Sequence, residues 1–205
     1  MRELGHSGVS ITPIVLGTWA IGGIMWGGTN ESDSIAAIQT SVDNGITTID
    51  TAAVYGFGFS EEIIGKALKG RRHLTTLASK CGLRWNKEET AGPNSAFDLQ
   101  GNPLIIEKNS KPESIFFECE QSLRRLQVEV IDLYQIHWSD PSTPIEESWE
   151  AMFQLKQQGK VRAIGVSNYT LEQLQCAHSL HPVDSIQLPY SLIRRDIEKD
   201  VIPFC

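Results

Sequence analysis

Short β-branched runs alternate strictly with longer amphipathic segments from Ile11 to the end of the chain. Side chains repeat every two residues along a strand and about every 3.6 along a helix, so the two periods separate the segments. Strict strand–helix alternation demands a parallel sheet joined by right-handed crossovers. Six runs read as strands: residues 11–19, 46–50, 74–80, 130–137, 161–168 and 185–190. The first helix is expected to be capped by Ser32 or Asp33, to turn Ile35, Ile38 and Val42 inward, and to end at Asn44-Gly45. Further helices follow Ser60, follow Lys111-Pro112, span 145–158, carry Leu171, Leu174 and Ala177, and begin near Asp196. Residues 2–12 read as a small hairpin turning at Gly5-His6-Ser7-Gly8. Residues 82–110, punctuated by Gly92-Pro93-Asn94 and Gly101-Asn102-Pro103, read as a long loop, and Gly22-Gly23 with Gly27-Gly28 as a mobile one; both are expected to shape a pocket. No linker interrupts the rhythm, so residues 1–205 are expected to form one domain.

The strand ends share a face. Parity puts Thr48 and Asp50 opposite Ile49, and Ala78 and Lys80 opposite Leu77. It puts Gln135 and His137 opposite Ile136, Ala163, Gly165 and Ser167 opposite Ile164 and Val166, and Ser185 and Gln187 opposite Ile186 and Leu188. One face is apolar and packs under helices; the other is small or polar and lines an interior. Asp50 closes its strand and Tyr55 follows in a Gly-rich loop. Alone, that pair reads equally well as a helix-capping carboxylate and a packing ring. Polar residues at the ends of five strands point instead to a site at the C-terminal mouth of a βα barrel.

An open, doubly wound nucleotide-binding sheet is the structural rival. Its support is Gly56-Phe57-Gly58 between a strand and a helix. The third glycine of GxGxxG is missing, and Glu61 and Glu62 would repel a pyrophosphate at that helix start. A net charge of −7 argues against nucleic acid or an anionic membrane surface as a partner. No run reaches the roughly 18 apolar residues of a membrane span. The four scattered cysteines read as reduced thiols in the cytoplasm. His178 and His181 have no third donor at a metal-binding spacing, so no metal is expected.

Specific strings then carry a resemblance along the whole length. They are Leu16-Gly17-Thr18-Trp19, Asp50-Thr51-Ala52 with Tyr55-Gly56, Ser60 to Gly65, Ala78-Ser79-Lys80, Ile131 to His137, Ile164 to Asn168, and Gln187 with Tyr190. The chain resembles the aldo-keto reductase family, particularly bacterial members related to potassium-channel β-subunits. The resemblance implies an α/β fold: a (β/α)8 TIM-type barrel, here six of the eight strand–helix units behind an N-terminal β-hairpin. It implies NADP(H)-dependent reduction of a small-molecule aldehyde or ketone. Tyr55 matches the general acid, Lys80 its neighbour, Asp50 the carboxylate paired with that lysine, and His137 the residue that orients the carbonyl. Ser167, Asn168 and Gln187 match residues that hold the nicotinamide carboxamide, and Thr18, Trp19 and Asp50 residues close to the cofactor.

The chemistry is coherent. Hydride addition leaves an alkoxide that needs a proton, and a free phenol with a pKa of about 10 is a weak donor at neutral pH. An adjacent ammonium is expected to lower that value, and Asp50 to balance the ammonium. Trp19, Trp26, Trp85 and Trp138 could line an apolar entrance. Relative to the family, the chain is expected to be C-terminally incomplete, since eight units take about 250 residues. In the family the residues that hold the adenosine 2′-phosphate come mostly from the last two units, so NADPH over NADH rests on resemblance. Channel β-subunit kinship leaves a second expectation, a non-catalytic cofactor-sensing or interaction module.

Overall fold

A two-stranded antiparallel hairpin opens the chain, β1 (Arg2–Glu3) against β2 (Ser10–Ile11). The main sheet begins at β3 (Leu16–Gly17), followed by a 3-10 turn at Ala20–Gly22 and helix α1 (Glu31–Asp43). Strand β4 (Thr48–Asp50), helix α2 (Phe59–Ala67) and β5 (Thr76–Cys81) come next. The computed structural model describes residues 1–87 and 96–205. Between β5 and helix α3 (Pro112–Leu126) lie β6 (Leu83–Lys87), β7 (Ala96–Phe97) and β8 (Pro103–Lys108). Then follow β9 (Ile131–Ile136), α4 (Ile145–Gln157), β10 (Val161–Ser167), α5 (Leu171–Leu180), β11 (Ser185–Gln187) and a short α6 (Val201–Phe204).

The main sheet runs β11-β10-β9-β5-β4-β3, every pair parallel. Each strand–helix unit therefore lies beside its predecessor, and the order never reverses. A doubly wound sheet requires such a reversal, so that rival is excluded. The architecture is the α/β half-barrel that the sequence implies, six units of the TIM type.

Two cores follow from the strand parity. Ile49, Leu77, Ile136, Ile164 and Val166 join Ile38, Ile63, Ile115, Trp149 and Met152 in the large layer between sheet and helices. Each such side chain contributes about 1.5–3 kcal/mol by leaving water. On the inner face, Ala78, Leu133 and Ala163 meet Val9 and the partly buried Leu4 of the hairpin. The hairpin thus plugs the bottom of the interior and leaves the top, where the strands end, for polar side chains.

Several boundaries differ from expectation, each for a local reason. The first strand starts at Leu16, not Ile11, because Pro13 has no N–H for a ladder; Thr12 instead exchanges bonds with Thr48, N to Oγ1 at 2.8 and 3.2 Å. Helix α1 is capped by Asn30, whose Oδ1 accepts from the Asp33 N–H at 3.1 Å, so Ser32 and Asp33 lie inside it. The last strand stops at Gln187, before Pro189. Residues 72–74 form a 3-10 turn before β5, and a 3-10 turn at Asp196–Glu198 precedes α6.

The largest correction concerns 82–110. Its described part is not a loop but a three-stranded antiparallel sheet, β6-β8-β7, with Trp85 opposite Ile106 and Asn86 opposite Ile105. The alternating pattern of 83–87 is short, and the Gly101-Asn102-Pro103 turn signal outweighs it in the sequence. Asp98 caps the Gly101-Asn102 turn, accepting from the Gln100 and Asn102 N–H groups at 2.9 and 2.8 Å. The Gly92-Pro93-Asn94 signal lies outside the described residues.

Candidate active site

Asp50 ends β4, and its backbone carbonyl accepts both the Thr18 N–H at 3.0 Å and the Thr18 hydroxyl at 3.1 Å. That pins the end of β3 against β4. On the next strand Lys80 reaches across, its Nζ 2.8 Å from each Asp50 carboxylate oxygen and 2.9 Å from the Thr51 carbonyl. The lysine side chain is 2% exposed and the aspartate 14%. A buried ammonium is tolerable only with such a partner.

Tyr55 stands above this pair, with the Lys80 Nζ 5.3 Å from its ring centre. Its loop is fixed by two glycines in contact: a Cβ on Gly22 would come within 2.7 Å of the Gly56 nitrogen. Trp19 stacks beside Tyr55 at 6.4 Å between centroids, and the His137 ring meets its edge at 5.8 Å. His137 follows β9, its N–H bonded to the Cys81 carbonyl at 2.9 Å. Asn168, at a φ of +59°, donates its side-chain N–H to the His137 carbonyl at 3.0 Å. The four residues matched to the family's catalytic groups, Asp50, Tyr55, Lys80 and His137, therefore meet at one rim.

Their charge states are set by burial. Burial, then the Lys80 charge, pulls the His137 imidazole down to about 3, so it is neutral near neutral pH. Burial lowers Lys80 against the opposing pull of Asp50. Burial, then the Asp50 carboxylate, pushes the Tyr55 phenol well above its ordinary value. This reverses the expected lowering of Tyr55 by Lys80. The lysine's charge is matched by Asp50 at contact distance, and desolvation of a phenolate then dominates.

The rim opens into an apolar cavity of about 640 Å³. Tyr55 and His137 line it together with Trp19, Trp138, Phe97 and Ile106. Ile24 and Met25 from the Gly22–Gly28 loop also line it, as that loop was expected to do. Of the four tryptophans expected at an apolar entrance, Trp19 and Trp138 line the cavity, and Trp26 packs edge-on against Trp19. Trp85 does not line it; it packs against Phe57 and lies under the Arg125 guanidinium. Phe97 and Ile106 went unforeseen because their segment read as a loop. Among the described residues no group of three or more His, Cys, Asp or Glu side chains is placed to hold a metal. No helix there is long and apolar enough to cross a membrane.

Ser167, Asn168 and Gln187 lie at adjoining strand ends, with Ser167 opposite Gln187 in the ladder. The Gln187 amide N–H reaches the Asp50 carboxylate at 3.3 Å, and the Asn168 amide N–H reaches the Ser167 hydroxyl at 3.0 Å. A carboxamide needs both donors and acceptors. This hydroxyl and two amides offer both, so the donor set fits a nicotinamide.

The profile of the Aldo/keto reductase family matches residues 13–205. The chain belongs to the aldo/keto reductase family. It is 46% identical over 204 residues to the Bacillus subtilis aldo-keto reductase YhdN, covering 98% of this chain and 57% of that protein. It is 37% identical over 210 residues to the Escherichia coli NADH-specific methylglyoxal reductase, covering 98% and 62%. Among solved structures, the Gluconobacter oxydans glycerol dehydrogenase AKR11B4 superposes with a TM-score of 0.85 at 44% identity, covering 99% of this chain and 58% of that one. The chain thus spans less than two thirds of the length of these relatives, all oxidoreductases by name.

Proposed function

We propose that this aldo/keto reductase chain reduces the carbonyl group of a small aldehyde or ketone to an alcohol, with NADPH as the donor. What carries the reading is the convergence of a phenol and a neutral imidazole that line one apolar cavity, with a buried ammonium–carboxylate pair beside the phenol. When bound, the cofactor supplies the hydride. Ser167, Asn168 and Gln187 would hold its carboxamide, with Thr18, Trp19 and Asp50 alongside.

The remaining chemistry falls to the protein. Neutral His137 donates a ring N–H to the carbonyl oxygen, polarising it and fixing its position. Tyr55 delivers its phenolic proton to that oxygen. Burial and the Asp50 carboxylate keep the proton on the phenol until the oxygen gains charge; Lys80, already paired with Asp50, stands 5.3 Å from the ring centre. The apolar walls exclude competing water. Four free thiols suit a reducing cytoplasm.

Both cofactors deserve trial, since the family includes a relative named as NADH-specific. The test follows NADPH and NADH consumption with an activated aromatic aldehyde, in wild type and Tyr55→Phe. Loss of the acid lowers the rate by about 10²–10⁴-fold. Equal rates in the two proteins remove Tyr55 from this role, and faster turnover with NADH overturns the cofactor assignment.

A further inference from the structure

Glu118 of α3 is 3% exposed and takes no part in the chemistry above. Both its carboxylate oxygens accept the Gly82 N–H at 3.2 Å, and one accepts the Ser114 hydroxyl at 3.2 Å. Both donors are neutral. Among the described residues no cation pairs with it within 4.0 Å: Arg125 is committed to Glu61 at 2.7 Å, and Arg84 lies over the Phe117 ring at 4.4 Å. The other titratable groups that feel its charge are the thiol of Cys81 on β5 and the phenol of Tyr134 on β9, both held neutral by burial.

Gly82 is where the inserted sheet leaves the barrel. Its φ of +88° turns the chain from β5 into β6, and its carbonyl takes the Asn109 N–H at 3.1 Å as the sheet returns. The peptide joining Cys81 to Gly82 offers its carbonyl to His137 and its N–H to Glu118. Leu83, one residue on, already lines the cavity, as do Phe97 and Ile106. One buried carboxylate therefore sits where the chain leaves β5 for the wall that lines the cavity with Tyr55.

We propose that Glu118 is a positioning residue for this wall: in its neutral form it holds the inserted sheet closed at Gly82, and its ionisation favours opening. The direction follows from solvation. A buried carboxylate with no counter-ion is relieved when the hinge opens and water reaches it; a carboxylic acid is not. Burial outweighs the hydrogen bonds and the distant arginines, raising Glu118 to about 7, which places the transition near neutrality. By linkage, the open form gains up to about tenfold per pH unit between the ordinary 4.5 of an exposed carboxylate and that point, and levels off above it. For turnover, the inference rests on the reductase reading: KM for a bulky apolar carbonyl rises with pH while kcat changes less.

The primary test needs no activity. Amide hydrogen exchange at 83–87 and 103–108 is measured at about pH 6 and about pH 8.5, corrected for intrinsic rates, in wild type, Glu118→Gln and Ser114→Ala. In wild type, protection falls about tenfold at the higher pH. In Glu118→Gln it does not fall. Ser114→Ala, which removes a bond to the ionised form, shifts the midpoint upward and serves if the glutamine variant folds poorly. Unchanged wild-type protection, or the same fall in Glu118→Gln, overturns the hinge. A wild type without turnover but with the exchange response overturns the reductase reading and leaves the hinge; Tyr55-dependent turnover with a flat exchange profile does the reverse.

Discussion

Asp50 holds the Lys80 ammonium with both carboxylate oxygens at 2.8 Å, and the Thr51 carbonyl takes its third N–H at 2.9 Å. An ammonium has three donors, so none remains for Tyr55. Lys80 acts on the phenol only through space, 5.3 Å from the ring centre. The carboxylate thus tunes Tyr55 twice: directly, by raising its pKa, and indirectly, by cancelling Lys80.

Replacing Asp50 by Asn removes both effects and leaves the buried ammonium without a counter-charge. Tyr55 is expected to titrate lower in Asp50→Asn than in wild type, read as phenolate absorbance against the matching Tyr55→Phe backgrounds. Global stability falls by about 3–5 kcal/mol in chemical denaturation, the usual cost of breaking a buried pair. An unmoved Tyr55 titration would show that desolvation alone sets that pKa.

His137 links the site to acid stability. Its folded pKa of about 3 lies below the ordinary 6.5, so the unfolded chain binds the proton first. The stability contributed by neutral His137 is complete above about pH 6.5 and is lost as pH falls toward 3, at up to about 1.4 kcal/mol per unit. His137→Gln is expected to flatten that limb. Parallel stability profiles for wild type and variant between those limits would show that His137 is not buried neutral.

Gly22 and Gly56 touch through their backbones, and the contact seats Tyr55. A methyl at Gly22 would lie 2.8 Å from the Tyr55 carbonyl carbon. Gly22→Ala must push the Tyr55 loop aside, an overpacking cost of about 1–3 kcal/mol. Turnover should fall by at least about tenfold, because a misplacement of about 1 Å costs up to 10²-fold. Wild-type kcat with intact stability would mean that the loop adjusts without moving the phenol.

What the sequence discloses is what strand parity and local chemistry control. Asp50, Lys80 and Gln135 could be placed on one face because side chains alternate, and β9 and β10 read cleanly because both their faces are covered. The Asn30 cap hid behind two equally good candidates two and three residues later. The inserted sheet hid because its described strands pair with one another rather than with the main sheet, so no long apolar run announced them. The sign of the Tyr55 shift was not legible at all. It depends first on how deeply the phenol is buried and then on the Asp50 carboxylate beside it, neither of which a residue pattern encodes. Nothing in the residue pattern singles out Glu118, whose burial becomes visible only in the fold.

That burial has a thermodynamic signature separable from any effect on turnover. Glu118 has its folded pKa raised from 4.5 to about 7, so the folded protein holds the proton longer than the unfolded chain does. Stability is then complete below about pH 4.5 and declines as pH rises through 7, by up to about 3 kcal/mol for a fully realised shift. Glutamine keeps the acceptor for the Gly82 N–H without the charge. Glu118→Gln should therefore match wild type at about pH 5 and exceed it at about pH 8 in denaturant midpoint, the gap opening between those values. A variant less stable than wild type at the higher pH would mean that the ionised carboxylate is stabilised in place, by Arg84 and Arg125 acting at a distance, and that closing the wall favours the charge rather than opposing it.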